Sequence, residues 1–343
     1  MNPKPVDPDI VPKFQLRGGG LIPAQGMGTF GSDHADAAQV AVAVSTAIDL
    51  GYRLIDCASV YGNEPDMGVV LSDAQEQGTR RDDLFVVSKV WNDQHSPKDV
   101  ARAARKSLHD LQLDYLDAYL VHWPFPNYHA PHAAPDARNP DSRPYIHEEF
   151  METWSAMEQL VDEGLVRYLG TSNVTVPKLE LILKDARILP TLNEMELHPT
   201  MQQGELFQFC RDHDILPVGY SPLGSPNRPE RDRTEADLSD MDMPQVVEVA
   251  QQLGVHPAAV CLKWAYQRGQ VAIPMSLNPR NMAANLRAIT EDPLSPEQMH
   301  ILRGAERDNR LIKGQVFLWP GSGSWLDLWD VDGTIPGWDG YAR

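Results

Sequence analysis

Four side chains in this sequence could do chemistry together. Asp56 ends an apolar run in Gly51-Tyr-Arg-Leu-Ile-Asp-Cys-Ala-Ser-Val-Tyr-Gly-Asn-Glu64, and Tyr61 follows it five residues on. Lys89 in Val86-Val-Ser-Lys-Val-Trp91 and His122 in Tyr119-Leu-Val-His-Trp-Pro124 also sit where an apolar run gives way to a loop. Brought to one place, a phenol, an ammonium and an imidazole can give and take protons, and a carboxylate can hold the ammonium charged. Singly, each has a plain packing role. Asp56 could cap a helix or pair a cation, Lys89 could be a surface lysine, His122 a satisfied core histidine, and Tyr61 a loop aromatic. Their recurrence at successive strand ends favours a site.

The elements around them alternate. Apolar residues Ala37, Val40, Val44, Ala47 and Ile48 stripe a helix over residues 36–50. Strands are expected at 26–29, 52–55, 84–88, 116–121, 166–170, near Leu192, at 216–219 and at 271–273. Helices are expected at 66–77, 97–111, 148–163, 176–184, 204–213, 244–253, 257–268 and 279–289. Several of these strands are apolar throughout, as a parallel sheet covered on both faces requires. Eight strand–helix units predict an α/β fold, a (β/α)8 TIM barrel formed as one domain over residues 1–343. A hairpin at 13–23 precedes the barrel, and residues 311–343 form a C-terminal tail. In such a barrel chemistry sits at the C-terminal ends of the strands, where Asp56, Lys89 and His122 fall. Gly26-Met-Gly-Thr-Phe-Gly31 fits G-x-G-x-x-G, but Ser32, Asp33, His34 and Asp36 delay the helix that a dinucleotide fingerprint would start at once. A Rossmann loop is therefore not favoured.

A formal net charge of −18 argues against nucleic-acid or anionic-membrane partners. Cys57, Cys210 and Cys261 are an odd, scattered set without metal-ligand spacing, which suits a reducing cytoplasm. His122, His129, His132 and His147 have no regular spacing either, and no metal is expected. Residues 1–12 hold four prolines and no apolar core, and no run reaches the ~18 apolar residues of a membrane span. A cytoplasmic enzyme is the expectation.

The stretches already quoted, together with Gly170-Thr-Ser-Asn173, Asn193-Glu-Met-Glu-Leu-His-Pro199, Tyr220-Ser-Pro-Leu-Gly224 and residues 274–285, resemble the aldo-keto reductase superfamily over residues 14–310. The resemblance implies a (β/α)8 barrel that binds a nicotinamide cofactor across its rim. It matches Asp56, Tyr61, Lys89 and His122 to the catalytic tetrad. Hydride arriving at a carbonyl carbon leaves charge on the oxygen, so Tyr61 would give the proton in reduction and take it in oxidation. Lys89 would favour the phenolate, Asp56 would hold Lys89, and His122 would orient the carbonyl. The substrate would be a small carbonyl or alcohol compound: an aldehyde, ketone or sugar. The alternative is a non-catalytic barrel of the same family acting as a regulatory or structural subunit, which the intact tetrad disfavours. The sequence does not specify an oligomeric state.

The same resemblance maps cofactor contacts onto Thr29, Ser172, Asn173, Glu194, Tyr220, Ser221, Leu223, Ser225, Ser276, Asn281 and Asn285. Ser172 and Asn173 match carboxamide contacts, Tyr220 the ring that stacks on the nicotinamide, Ser221, Leu223 and Ser225 the pyrophosphate loop, and Asn285 an adenine contact. Two departures stand out. Met275 and Asn281 replace the lysine and arginine that grip a 2′-phosphate in NADPH-dependent members. Charge-assisted bonds of about 1.5–3 kcal/mol each are thereby lost, so NAD(H) is expected to be favoured over NADP(H). Arg280 is the alternative, because one residue of slippage would put it on the phosphate. Glu194 replaces the usual glutamine. Ionised, it would favour the cationic oxidised ring and the oxidative direction; protonated or paired, it would be neutral. Phe30, Trp91, Trp123 and Trp319 are the expected substrate-facing residues. The loops 127–147 and 225–243 and the tail, with Trp319, Trp325, Trp329 and Trp338, are the segments that could cover the barrel mouth, the tail's alternative being the outer wall or an interface.

Overall fold

A computed structural model describes residues 3–126, 139–226, 228–230 and 233–338. The hairpin is β1 (Lys13–Gln15) paired antiparallel with β2 (Leu21–Pro23). Eight parallel strands follow: β3 (Met27–Gly28), β4 (Leu54–Asp56), β5 (Phe85–Val90), β6 (Leu116–Val121), β7 (Val166–Ser172), β8 (Leu192–Glu196), β9 (Leu216–Tyr220) and β10 (Val271–Ile273). Each pairs with its sequence neighbour. The circle closes between β10 and β3, where the Gly26 N–H donates to the Ala272 carbonyl at 2.9 Å and the Gly28 N–H to the Pro274 carbonyl at 3.1 Å. Around the strands run α1 (Ala37–Asp49), α2 (Glu64–Glu76), α3 (Pro97–Asp110), α4 (His147–Asp162), α5 (Val176–Asp185), α6 (Gly204–Asp212), α7 (Pro244–Leu253), α8 (Pro257–Arg268), α9 (Pro279–Ala288) and α10 (Pro296–Arg303). α10 lies outside the elements expected from the sequence. Ser295 and Gln298 start it with a capping box.

The glycines of residues 26–31 serve packing. A Cβ on Gly26 would lie 2.5 Å from the Leu54 side chain, and one on Gly31 would lie 2.3 Å from the Ala35 carbonyl. The helix starts only after Asp36, whose carboxylate accepts from the Gln39 N–H at 2.8 Å while Gln39 accepts from the Asp36 N–H.

Strand parity positions everything that follows. Side chains alternate across a strand. Leu54 on β4, Phe85 and Val87 on β5, Ala118 and Leu120 on β6, Leu192 on β8, Val218 on β9 and Ile273 on β10 share one buried cluster inside the barrel. Leu16 and Ile22 of the hairpin join that cluster. The opposite parity, with Ile55, Val86, Val90, Tyr119, Leu169 and Met195, packs outward under the helices. Two residues beyond the last interior hydrophobe on β4, β5, β6, β8 and β9 come Asp56, Lys89, His122, Glu194 and Tyr220. The site is thus the top layer of the barrel's own interior.

Candidate active site

Lys89 is fully buried. Its Nζ lies 2.6 and 2.7 Å from the two Asp56 carboxylate oxygens and donates to the Cys57 carbonyl at 3.1 Å. Tyr61 belongs to a 3-10 turn, Ser59–Tyr61. That turn is tied down on both sides. The Ser59 hydroxyl donates to the Lys89 carbonyl at 3.1 Å, and the Asn63 amide donates to the Thr29 carbonyl at 2.8 Å. Thr29 in turn donates through Oγ1 to the Asp56 carbonyl at 2.8 Å. The Tyr61 ring consequently sits 5.6 Å from Lys89 Nζ and edge-on to His122, with centroids 5.8 Å apart. All four tetrad candidates converge.

Burial drives the His122 imidazole well below its ordinary range, and Lys89 pushes it further, so His122 is neutral near neutrality. Burial opposes the Lys89 ammonium, but Asp56, Glu194 and Tyr61 together raise it above its ordinary value, and it stays charged. Burial raises the Tyr61 phenol; Lys89 pulls toward phenolate, the direction expected, but does not outweigh burial. Tyr61 therefore carries its proton, as a donor must.

Glu194 lies beside this group. Its Oε2 is 3.4 Å from Lys89 Nζ, within reach of a hydrogen bond to Asp56. Burial and then Asp56 push its carboxyl up to about 8, so it is a neutral acid at pH 7 rather than a charge. Of the other cofactor candidates, Ser172, Asn173 and Tyr220 form one patch: the Tyr220 hydroxyl donates to Asn173 Oδ1 at 2.7 Å, and Asn173 Nδ2 donates to the His122 carbonyl at 2.9 Å. Asn173, Ser221 and Ser225 have φ of 59°, 52° and 42°. Left-handed backbone at non-glycine residues costs on the order of 1 kcal/mol each and gathers at functional loops. Leu223 packs on the core, Asn285 is buried, and Ser276 accepts from the Asn278 N–H at the start of α9. Two buried polar atoms beside the tetrad, His122 Nδ1 and Trp91 Nε1, have no partner among the described residues. Unsatisfied groups of this kind, with the strained rim, fit a nicotinamide cofactor and a carbonyl substrate.

The aromatics divide. Phe30 lies 5.0 Å from the Tyr61 ring and Trp91 5.0 Å from the His122 ring. Trp123 is covered by Phe317 at 4.6 Å and Trp329 at 5.6 Å. Trp319 packs instead on Phe125, at 6.3 Å. The tail residue that meets Trp91, at 5.7 Å, is Phe317, which the tryptophan-rich composition of the tail hid. His129 and His132 lie outside the described residues. His147 bonds Tyr145 and Asp185.

A second buried cluster was not anticipated. His198 sits between Glu196, 3.0 Å from Nε2, and Asp240, 2.8 Å from Nδ1, all three without solvent exposure. Glu196 also accepts from the Leu311 and Ile312 N–H groups at 2.9 and 3.0 Å. Asp240 lies in the 225–243 loop, so β8, that loop and the tail meet in one group. A Cβ on Gly224 would fall 2.2 Å from Asp240, and its φ of 71° demands glycine as well. Elsewhere the Glu230 N–H donates to Asp33 at 3.3 Å, carrying the loop across the rim to the first strand–helix unit, and Lys178 of α5 pairs with Asp330 of the tail. The one available signal was spacing: Glu196 is two residues from Glu194 and so shares its face.

The family model described as Aldo/keto reductase family matches residues 24–307. An aldo/keto reductase of Synechocystis is 40% identical over 323 residues, covering 92% of this chain and 96% of its own. Aldo-keto reductase family 1 member A1 of Homo sapiens is 39% identical over 300 residues, covering 87% and 90%. Among solved structures, an aldo-keto reductase of Bombyx mori in complex with NADP gives a TM-score of 0.78 at 30% identity, covering 90% of this chain and 95% of that one. A second, complexed with NADPH, gives 0.77 at 30% identity, covering 88% and 89%. These structures overturn the expected preference for NAD(H) over NADP(H), because both hold the 2′-phosphorylated dinucleotide. Positions 275 and 281 themselves carry no cation, but sequence position alone does not fix where a cation ends up in the fold. In the fold Arg280 is exposed at the second residue of α9, beside Asn281 and next to the Ser276 turn. A guanidinium, a hydroxyl and a helix N-terminus thus share one end, which is chemistry suited to a phosphate.

Proposed function

Because the chain belongs to the aldo/keto reductase family, we propose that it moves hydride between NADP(H) and a carbonyl or alcohol substrate, with Tyr61 exchanging the proton. The observation that carries this reading is the Tyr61 ring held over the Lys89–Asp56 pair and edge-on to His122. When bound, the dinucleotide supplies or accepts the hydride. Tyr61 holds a proton at its phenol oxygen and delivers it to the forming alkoxide. Lys89, kept charged by Asp56, lowers the cost of the phenolate left behind. Neutral His122 binds and orients the carbonyl oxygen. Ser172, Asn173, Tyr220, Ser221, Ser225, Ser276 and Asn285 would hold the dinucleotide, with Arg280 on its 2′-phosphate. Phe30, Trp91 and Phe317 make the substrate wall aromatic, which favours apolar aldehydes and ketones over small hydrophilic ones. The tail and the 225–243 loop would close the mouth and exclude water. At neutral pH Glu194 is uncharged, so it gives no standing bias toward oxidation.

The test follows reduced-nicotinamide absorbance with a panel of aldehydes, ketones and the matching alcohols, using NADPH and NADH. Tyr61→Phe is expected to lower kcat/KM by about 10²–10⁴ while leaving NADPH binding intact. Arg280→Ala is expected to weaken NADPH by about 1.5–3 kcal/mol and to leave NADH unchanged. Full turnover in Tyr61→Phe would reject the reading.

A further inference from the structure

Lys89 is a buried cation with two carboxylates. Asp56 takes both short bonds, at 2.6 and 2.7 Å, and Glu194 Oε2 stands at 3.4 Å. Two carboxylates within hydrogen-bond reach of each other and of one ammonium cannot both ionise cheaply in a buried site. With Lys89 charged and Asp56 ionised, the group is neutral only while Glu194 keeps a proton, which it donates to Asp56.

Among the described residues no second cation acts on Glu194. From β4 comes Asp56, and from the following turn the Tyr61 phenol. From β5 comes Lys89, from the end of β6 the neutral His122, and from β9 the Tyr220 phenol, which burial holds protonated. Glu196, two residues along β8, turns to His198 and the tail. Among the described residues Lys89 is the one ion-pair partner of Glu194.

We propose, on the reading that Tyr61 and Lys89 are the proton-transfer pair, that Glu194 is a positioning residue for Lys89. It shares one proton with Asp56, and release of that proton turns the pocket floor net negative and shifts binding from the reduced to the oxidised dinucleotide. The balance is one proton to solvent and one negative charge left on the Asp56–Glu194 pair, with no covalent change. Below the transition the floor is neutral and suits the uncharged dihydronicotinamide. Above it the extra charge favours the cationic ring and holds the Tyr61 proton more tightly. One side chain would thus make the choice of direction depend on pH.

The test is the ratio of dissociation constants for NADPH and NADP+, read by tryptophan fluorescence across about pH 6 to about pH 10, which brackets the carboxyl near 8. Both dinucleotides carry the same phosphates, so the ratio isolates the ring charge. In the wild type the ratio should rise on the order of tenfold in favour of NADP+ as pH increases. In Glu194→Gln, which keeps the side chain's shape and cannot ionise, it should stay flat. Should that variant fail to fold, a protonated-carboxyl infrared band in the unliganded wild-type protein that disappears with the same midpoint carries the test. A flat ratio in the wild type, or an unchanged rise in Glu194→Gln, overturns the proposal. Tyr61→Phe separates the two failures: if it stays inactive while the ratio is flat, only the role of Glu194 falls.

Discussion

Glu194 and Glu196 lie two residues apart on β8, face the same interior and are both buried, yet their carboxyls are shifted in opposite directions. Burial raises both. The difference lies in what each is given. Glu196 receives two backbone N–H groups from the tail, a doubly bonded His198 and the nearby Arg310, and these outweigh burial. Glu194 receives part of one lysine that already bonds Asp56 twice. A buried carboxylate is fixed when its donors match its lone pairs, and titrates when they do not. The fixed one ties the 225–243 loop and the tail to the strands. The titratable one borders the proposed chemistry.

The largest effect should come from removing the lone cation of the catalytic group. Lys89→Met is expected to lower kcat/KM by about 10²–10⁴ by leaving Tyr61 without its electrostatic support. Circular dichroism checks the fold, and fluorescence titration should find NADPH affinity within about tenfold of wild type. A variant retaining most of its turnover would show that the two groups do not divide into a catalytic and a structural one.

Next comes the fixed group. Glu196→Gln leaves a buried His198 with one carboxylate and weakens the hold on Leu311 and Ile312, at a cost of about 3–5 kcal/mol in urea unfolding. The pH dependence has a definite sign. Burial lowers the His198 imidazole, but Asp240 and Glu196 outweigh it and raise it from 6.5 to about 9. The folded state then binds the proton more tightly than the unfolded chain. Its contribution is fully present below about pH 6.5 and is lost as pH rises through about 9. The loss should be on the order of 3 kcal/mol, and His198→Gln should remove that slope. An unchanged slope would break the contrast drawn from β8.

What could be read from the residues in order, and what could not, divides along the same line. The strand-helix alternation was legible because each strand is a short apolar run bounded by turn residues. Strands 116–121 and 271–273 came out at their true bounds. Tyr61, Asp56, Lys89 and His122 were legible because each interrupts such a run at its end. The His198 group was not, since it joins β8 to residues about 40 and 115 positions further on through contacts that only the folded rim creates. Phe317 was lost among tryptophans for the same reason: which aromatic of an irregular tail meets Trp91 depends on where Lys178 and Glu196 pin it. Arg280 shows the limit of matching by position, because a helix N-terminus presents its first few side chains to one place.

The smallest effect, and the sharpest, pits one glutamate against the other. Glu194 has an ordinary value of 4.5 and a folded one of about 8, so the folded protein binds the extra proton between those limits. Its stability contribution is therefore eroded as pH rises through that window, the reverse of a well-paired carboxylate. Glutamine at 194 removes this penalty while keeping the packing. Glu194→Gln should come nearest the wild type near pH 5 and exceed it by a growing margin as pH rises toward 8 in chemical denaturation. The same substitution two residues away is destabilising at both values. If Glu194→Gln also destabilises at pH 8, then Glu194 is ionised and well paired in the folded protein, and the lysine it touches binds two charges rather than one charge and one proton.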